Sequence, residues 1–176
     1  MEVILIRHTS VAVPKGTCYG QSDVPVSDTF EQEAEVTKQN LVSYLPFDKV
    51  YSSPLRRASK LAAYCGYPQP RLDNRLKEMH MGRWEMQLYD EIDDMYIEDW
   101  YKDYMNLPTP EGEGFRDVYR RVSEFLDELK TKPYKRVAIF AHGGVLICAG
   151  LYAGLFEEAN AWDHLVNFGG IERIEI

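Results

Sequence analysis

Hydrophobic positions fall into two patterns that divide the chain into strands and helices. Val3-Ile4-Leu5-Ile6 and Val137-Ala138-Ile139-Phe140-Ala141 are unbroken apolar runs of strand length, as expected of strands buried on both faces. Asp48-Lys49-Val50-Tyr51-Ser52 reads as a shorter strand, and Ile171 to Ile176 alternates apolar and charged residues as a half-exposed final strand does. Between them the period becomes helical. Phe30, Ala34, Thr37, Leu41 and Leu45 form one stripe, with Ser27 or Asp28 as the expected cap, Glu31 as the capping-box partner of Asp28, and Pro46 as the stop. Ser53-Pro54 predicts a cap and a first-turn proline for a helix over Leu55–Cys65, closed by Gly66. Leu88, Ile92, Met95 or Tyr96, and Trp100 fit another stripe, whose solvated face would carry Asp90, Glu91, Asp93, Asp94, Glu98 and Asp99. Phe115, Val118, Val122, Phe125, Leu126 and Leu129 mark an amphipathic helix ending before Pro133. A helix should follow His142 to about Gly154, with a short helical segment near Glu157–His164.

Alternating strands and helices predict an α/β fold with a mostly parallel sheet. The length of 176 residues fits one domain spanning 1–176, with its least regular part between Leu76 and Pro110. Ligands in such folds bind outside the carboxyl ends of the strands. Three segments fall there: Arg7-His8-Thr9, Ser52-Ser53-Pro54-Leu55-Arg56-Arg57 and His142-Gly143-Gly144. A core strand running into a cation and an imidazole is unusual, because neither belongs in an apolar interior unpartnered. Together these ends predict a cationic pocket containing imidazoles, flanked by amides after Ser53 and after His142, including that of Gly143. That suits a phosphate group. A neutral imidazole there can attack phosphorus, the arginines can stabilise the transferring oxygens, and a carboxylic acid must protonate the leaving alkoxide. On the residues alone Glu78, Glu85, Glu111 and Glu113 are equivalent candidates for that acid.

Composition narrows the partners. The net charge of -8 argues against nucleic acid, so an anion site must be locally basic within an acidic protein. No apolar run approaches the ~20 residues of a membrane span and no signal-peptide pattern opens the chain, which predicts a cytoplasmic protein with no membrane partner. Three widely spaced cysteines form neither a disulfide framework nor a zinc knuckle. No histidine pair has metal-ligand spacing, so no metal site is expected.

Arg7-His8-Thr9, Ser52-Ser53-Pro54-Leu55-Arg56-Arg57-Ala58, Leu76-Lys77-Glu78 with Gly82-Arg83-Trp84-Glu85, and His142-Gly143 occur in the order and spacing of the histidine phosphatase superfamily, the phosphoglycerate mutase-like proteins. The chain resembles that family over nearly its whole length. The resemblance implies a three-layer α/β/α architecture with a helical insertion, about 76–112, over the active site. It implies His8 as nucleophile, Arg7, Arg57 and His142 as phosphate ligands, and Glu78 as proton donor. No metal or other cofactor is implied, and the partner is a small phosphorylated metabolite; the oligomeric state is left open between monomer and homodimer. Gly82-Arg83-Trp84-Glu85-Met86 and Pro110-Glu111-Gly112-Glu113-Gly114-Phe115 look most like the α-ribazole phosphatases, which remove the 5′-phosphate of α-ribazole phosphate in building the lower part of cobalamin. Aromatic residues of the insertion (Tyr89, Tyr96, Trp100, Tyr101, Tyr104) could stack on such a base or form the core of a capping helix, and the core reading is the expectation for at least half of them.

Three departures from the family pattern matter. Thr9 stands where many relatives have glycine, Pro14 where many have a phosphate-binding asparagine, and Phe30 replaces a glycine. Thr9, Ser10 or loop amides at Gly20 and Gln21 are therefore expected to supply the asparagine's contact. Rival readings remain: a mutase, a broad-specificity sugar or nucleotide phosphatase, and an inactive phosphate-binding or scaffolding relative. Mutase activity is disfavoured because Met79, not arginine, follows Glu78, and residues 88–105 carry one cation, Lys102. Cys65-Gly66-Tyr67-Pro68-Gln69-Pro70-Arg71 matches a cysteine-phosphatase loop, but its prolines remove two of the amides such a loop needs.

Overall fold

A computed structural model describes residues 1–176. The strands are β1 (Glu2–Arg7), β2 (Lys49–Ser52), β3 (Arg71–Leu72), β4 (Arg136–Ala141) and β5 (Ile171–Glu175). The helices are α1 (Phe30–Leu41), α2 (Arg56–Tyr64), α3 (Tyr96–Asp103), α4 (Phe115–Lys130) and α5 (Gly143–Tyr152). The strands form one sheet in the order β3-β2-β4-β1-β5, parallel except for β5, which runs antiparallel to β1.

Alternation along the central strands builds the three layers. Val3, Leu5, Val137 and Ile139 face α4 and α5, where they pack with Val118, Val122, Phe125, Leu126 and Ile147. Ile4, Ile6, Ala138 and Phe140 face the opposite way, onto Phe30, Ala34 and Leu41 of α1 and Leu61 and Ala62 of α2. A third cluster, Cys18, Met81, Trp84, Ile97 and Trp100, is the insertion's own core. Main-chain bonds pin it to the loop after β1: Cys18 N–H donates to Gln87 O (2.8 Å) and Met86 N–H to Cys18 O (2.7 Å). No helix is long and apolar enough to cross a membrane.

Strand register decides what stands at the sheet's carboxyl edge. Arg7 pairs with Ala141 and Ser52 with Phe140, so His8 and His142 leave their strands at one level, with Ser53 one residue below them. Two further bonds extend the ladder: His8 N–H to Ala141 O (3.1 Å) and Ser53 N–H to Phe140 O (2.8 Å).

Several local expectations need correction. The helix predicted from Ser27 or Asp28 starts at Phe30, with Thr29 as N-cap and no side-chain capping bond. Ser27 and Thr29 instead join Ser10 around the Glu33 carboxylate, which takes Ser10 N–H (2.8 Å) and the Ser10 and Thr29 hydroxyls. That stripe breaks at Leu41, and Leu45 beyond a 3-10 turn is exposed. Leu55, not Ser53, is the N-cap of α2, and Ser53 is drawn elsewhere. The stripe through Leu88 and Ile92 is not one helix. A 3-10 turn covers Tyr89–Glu91, and the Asp94 carboxylate then accepts Tyr96 N–H (3.0 Å) and the Trp84 indole N–H (3.2 Å), restarting the chain as α3. Met95 is consequently 94% exposed, while Ile97 and Trp100 turn inward. The two-residue β3 has no apolar signal and escaped the sequence reading.

Ile6 lies wholly buried between the sheet and the α1–α2 layer, whereas Val36 on α1 is 58% exposed. Ile6→Ala should cost about 2–5 kcal/mol in urea unfolding, by lost burial and the cavity left behind. Val36→Ala should stay within ~0.5 kcal/mol of the parent.

Candidate active site

His8 is almost wholly buried at the end of β1. Its Nδ1 lies 2.6 Å from the carbonyl of Thr9. A carbonyl only accepts, so Nδ1 carries the hydrogen of the neutral ring and Nε2 keeps a free lone pair. Burial, reinforced by the charges of Arg57 and Arg7, lowers its pKa to about 3, against a smaller opposing pull from the Thr9 carbonyl. The ring is therefore uncharged at neutral pH.

His142 stands beside it, the ring centroids 5.2 Å apart. It is fully buried, and its Nε2 is 2.7 Å from Ser53 Oγ. Ser53 Oγ accepts Leu55 N–H (3.2 Å) and has its own hydrogen free to give to Nε2. With that donation the ring hydrogen of His142 is on Nδ1, which is buried and has no partner within the protein. Burial first, then Arg57 and His8, holds this imidazole well below its ordinary pKa.

Two arginines complete the cradle. Arg57 is fully buried, its terminal nitrogens donating to Gly20 O (2.6 Å) and Ser22 O (2.9 Å), and its Nε is unpartnered. Arg7 donates to Val166 O (2.6 Å), lies 4.1 Å from the Phe168 ring centroid, and has a buried unpartnered Nε. Buried N–H groups without protein partners are costly and rare, and an anion with several oxygens would satisfy them together. Arg56, by contrast, is an exposed rim residue paired with Asp23 at 2.6 Å.

Glu78 reaches in from the irregular chain after Leu76. Its oxygens accept Met79 N–H (3.0 Å) and Gly144 N–H (3.1 Å) at the start of α5. A Cβ at position 144 would stand 2.5 Å from Glu78 Oε1, which explains why glycine follows Gly143 there. Gly143 in turn sits against Arg7 and Leu165.

The loop after β1 departs from expectation. The amides of Gly20 and Gln21 do not face the pocket; they donate to Glu85 at 3.0 and 2.8 Å. Ser22 N–H, Ser22 Oγ and Met81 N–H bind the same carboxylate. Burial raises the pKa of Glu85, but these bonds outweigh it and hold it below the usual carboxylate value. The loop's contribution is its carbonyls, which orient Arg57. Ser10 is likewise committed to Glu33. Of the suggested substitutes for the missing asparagine, Thr9 alone keeps an unpartnered buried hydroxyl.

A cavity of about 190 Å³ opens beside Arg7, Glu78, Gly143 and Gly144. Its other walls are Tyr19, Met79, Met81, Tyr89, Trp100, Tyr104, Phe115, Val118, Trp162 and Leu165. Of the insertion's aromatics, Tyr89, Trp100 and Tyr104 line it, while Tyr96 and Tyr101 do not. Trp162, Leu165 and Phe168 were missed from the sequence, although Gly169-Gly170 signals the turn that carries Phe168. Ser53 was noticed as a cap but not as the partner of His142. Cys65 lies away from this cluster, and burial pushes its thiol up to about 12, unlike a nucleophilic thiolate.

The chain is similar to several proteins of known activity. The adenosylcobalamin/α-ribazole phosphatase of Salmonella typhimurium is 29% identical over all of this chain and 91% of its own. Phosphoserine phosphatase 1 of Hydrogenobacter thermophilus is 29% identical over 79% of this chain and 69% of its own. The crystal structure of the α-ribazole phosphatase from Shigella flexneri superposes with a TM-score of 0.87 at 26% identity, covering 100% of this chain and 91% of that one. Residues 3–176 match the histidine phosphatase superfamily, branch 1. The chain belongs to that superfamily, and it is a phosphatase of phosphoric monoesters.

Proposed function

We propose that this phosphatase hydrolyses α-ribazole 5′-phosphate through a phosphohistidine formed on His8. In the first step His8 Nε2 bonds to phosphorus as the ester P–O bond breaks in line. Arg7 Nε, Arg57 Nε, His142 Nδ1–H and the Thr9 hydroxyl hold the phosphoryl oxygens and the charge that develops on them. Glu78, as a carboxylic acid, gives its proton to the leaving alkoxide. Water then attacks the phosphohistidine and gives a proton to the Glu78 carboxylate. The P–N bond breaks, inorganic phosphate leaves, and both side chains return to their starting forms. His8 and His142 carry their ring hydrogen on the same nitrogen, Nδ1, but differ in the nitrogen left without a protein partner, and this supports the division of labour: His8 offers the Nε2 lone pair and His142 its Nδ1–H.

The substrate reading rests on the cavity beside Glu78, where the leaving group must sit. Its walls are aromatic and apolar, and Arg7 and Glu78 are their only charged side chains. A phosphoglycerate or phosphoserine carboxylate would find no cation there besides the arginine already engaged with phosphate. A flat, uncharged base on a ribose fits Tyr89, Trp100, Tyr104 and Trp162. The name of the Salmonella relative points the same way. The fully furnished centre of His8, Arg57, Glu78 and His142 weighs against an inactive scaffold.

The deciding comparison is steady-state hydrolysis of α-ribazole 5′-phosphate, 3-phosphoglycerate, phosphoserine and p-nitrophenyl phosphate. kcat/KM should be highest for α-ribazole phosphate by at least ~100-fold over the two carboxylates, which leave a buried charge unpaired. Comparable low values for all four would leave a broad-specificity phosphatase.

His8→Ala should abolish both turnover and the acid-labile phosphoenzyme trapped from radiolabelled substrate. Glu78→Gln should slow α-ribazole phosphate by ~10²–10⁴-fold, and p-nitrophenyl phosphate, with its good leaving group, far less; equal losses would remove Glu78 from the proton-donor role. Cys65→Ser should turn over like the parent.

A further inference from the structure

Glu78 sits on chain that is neither helix nor strand, between the 3-10 turns Asn74–Leu76 and Gly82–Trp84. Such a segment does not by itself hold a carboxyl in place. Besides the two amides on the carboxyl itself, what anchors the segment is an ion pair that the mechanism above does not use. Arg121, on α4, turns inward with its side chain 15% exposed and meets Glu113 in a two-pronged contact: Nε to Oε1 at 2.9 Å and a terminal nitrogen to Oε2 at 3.0 Å. Its remaining N–H groups all go to the main chain around Glu78. One nitrogen donates to Arg75 O (2.6 Å) and Lys77 O (2.5 Å), the other to Glu78 O (3.0 Å). The five guanidinium donors are thus all used.

Glu113 works on the far side of the same residue. Its Oε2 accepts His80 N–H at 2.9 Å and, more loosely, the Gln21 amide at 3.4 Å. Gln21 also donates to Glu78 O at 3.1 Å. The pair therefore grips the backbone just before, at and just after Glu78, and Gln21 links that grip to the loop whose carbonyls orient Arg57.

We propose that Glu113 and Arg121 are positioning residues for the proton donor, fixing the Glu78 carboxyl against the leaving oxygen. The proposal rests on the reading of Glu78 as general acid. A misplacement of ~1 Å at such a group can cost ~10²-fold, and neither member of the pair lines the cavity or has a donor left for the phosphate cradle. Its loss should therefore appear in proton donation and spare phosphate binding.

The test uses Arg121→Lys, which keeps the charge but cannot make the fork, and Glu113→Gln, which keeps the shape. Each is assayed on phenyl phosphate, a poor leaving group, and on p-nitrophenyl phosphate, alone and in the Glu78→Gln background. Urea midpoints confirm folding, and inhibition by inorganic phosphate reports the cradle. We expect kcat/KM on phenyl phosphate to fall ~10–100-fold, p-nitrophenyl phosphate to lose less than ~3-fold, phosphate inhibition to hold, and no further loss on phenyl phosphate in the Glu78→Gln background. Equal losses on both esters, or losses that add to Glu78→Gln, would overturn the proposal and leave a purely structural pair. Should Glu78→Gln itself show no preference between the esters, the general-acid reading falls first and the proposal with it. Should Arg121→Lys fail to fold, Glu113→Gln decides by the same criteria.

Discussion

Everything at this site depends on the parallel pairing of β1 with β4. The two strands share no polar side chain along their buried length, and the ladder between them is set by main-chain bonds and apolar packing on both faces. Because side chains alternate with a period of two, a one-residue slip would exchange the layers each strand faces. The same slip would separate His8 from His142 along the strand direction by about 3.3 Å. Hydrophobic registry and catalytic geometry are thus one constraint, and neither histidine needs a dedicated support to find the other. Pairing of β2 with β4 does the same for Ser53, delivering its hydroxyl to His142.

The electrostatics show how an acidic protein maintains a cationic pocket. Three carboxylates surround the arginines without neutralising their inward-facing donors. Glu85 gathers amides of the loop whose carbonyls hold Arg57, Glu113 is joined to Arg121, and Glu78 is held by amides. The Nε atoms of Arg7 and Arg57 remain unpaired. The charges of Glu85 and Glu113 are thereby confined to the support structure, and the net -8 lies mostly on exposed faces such as that of α3. Burial then does double duty, strengthening these contacts and keeping both imidazoles uncharged.

The parts of this arrangement that could be read from the sequence are those carried by local pattern. Unbroken apolar runs ending in Arg7-His8 and in His142-Gly143 gave both central strands and the residues at their tips. The stripe through Val118, Val122 and Phe125 gave α4. What was not legible depends on contacts between distant segments. Glu85 acts on Gly20 from 65 positions away, and nothing in the intervening composition distinguishes it from Glu111, which is exposed. Arg121 looks like any polar residue on an amphipathic helix, although it lies next to the apolar position Val122. The insertion was misread because the Asp94 side chain competes locally with helix hydrogen bonding, which hydrophobic spacing alone does not register.

The place of β1 within the sheet has a consequence for synthesis. Its two neighbours are β4 and β5, so β1 emerges from the ribosome well ahead of both partners and must wait for segments beyond residue 135. Until then Val3-Ile4-Leu5-Ile6 is an apolar segment with both hydrogen-bonding edges open. Pairing over such separations raises contact order and slows folding, and an unpaired strand of this kind is a natural client for a chaperone. The turn at Gly169-Gly170 extends the dependence to the chemistry, since Gly169 N–H binds His8 O (3.0 Å) and Gly170 O accepts Arg7 N–H (3.0 Å). A nascent chain therefore carries His8 long before the segments that complete its surroundings, and the centre is assembled only when nearly all of this sequence has been made.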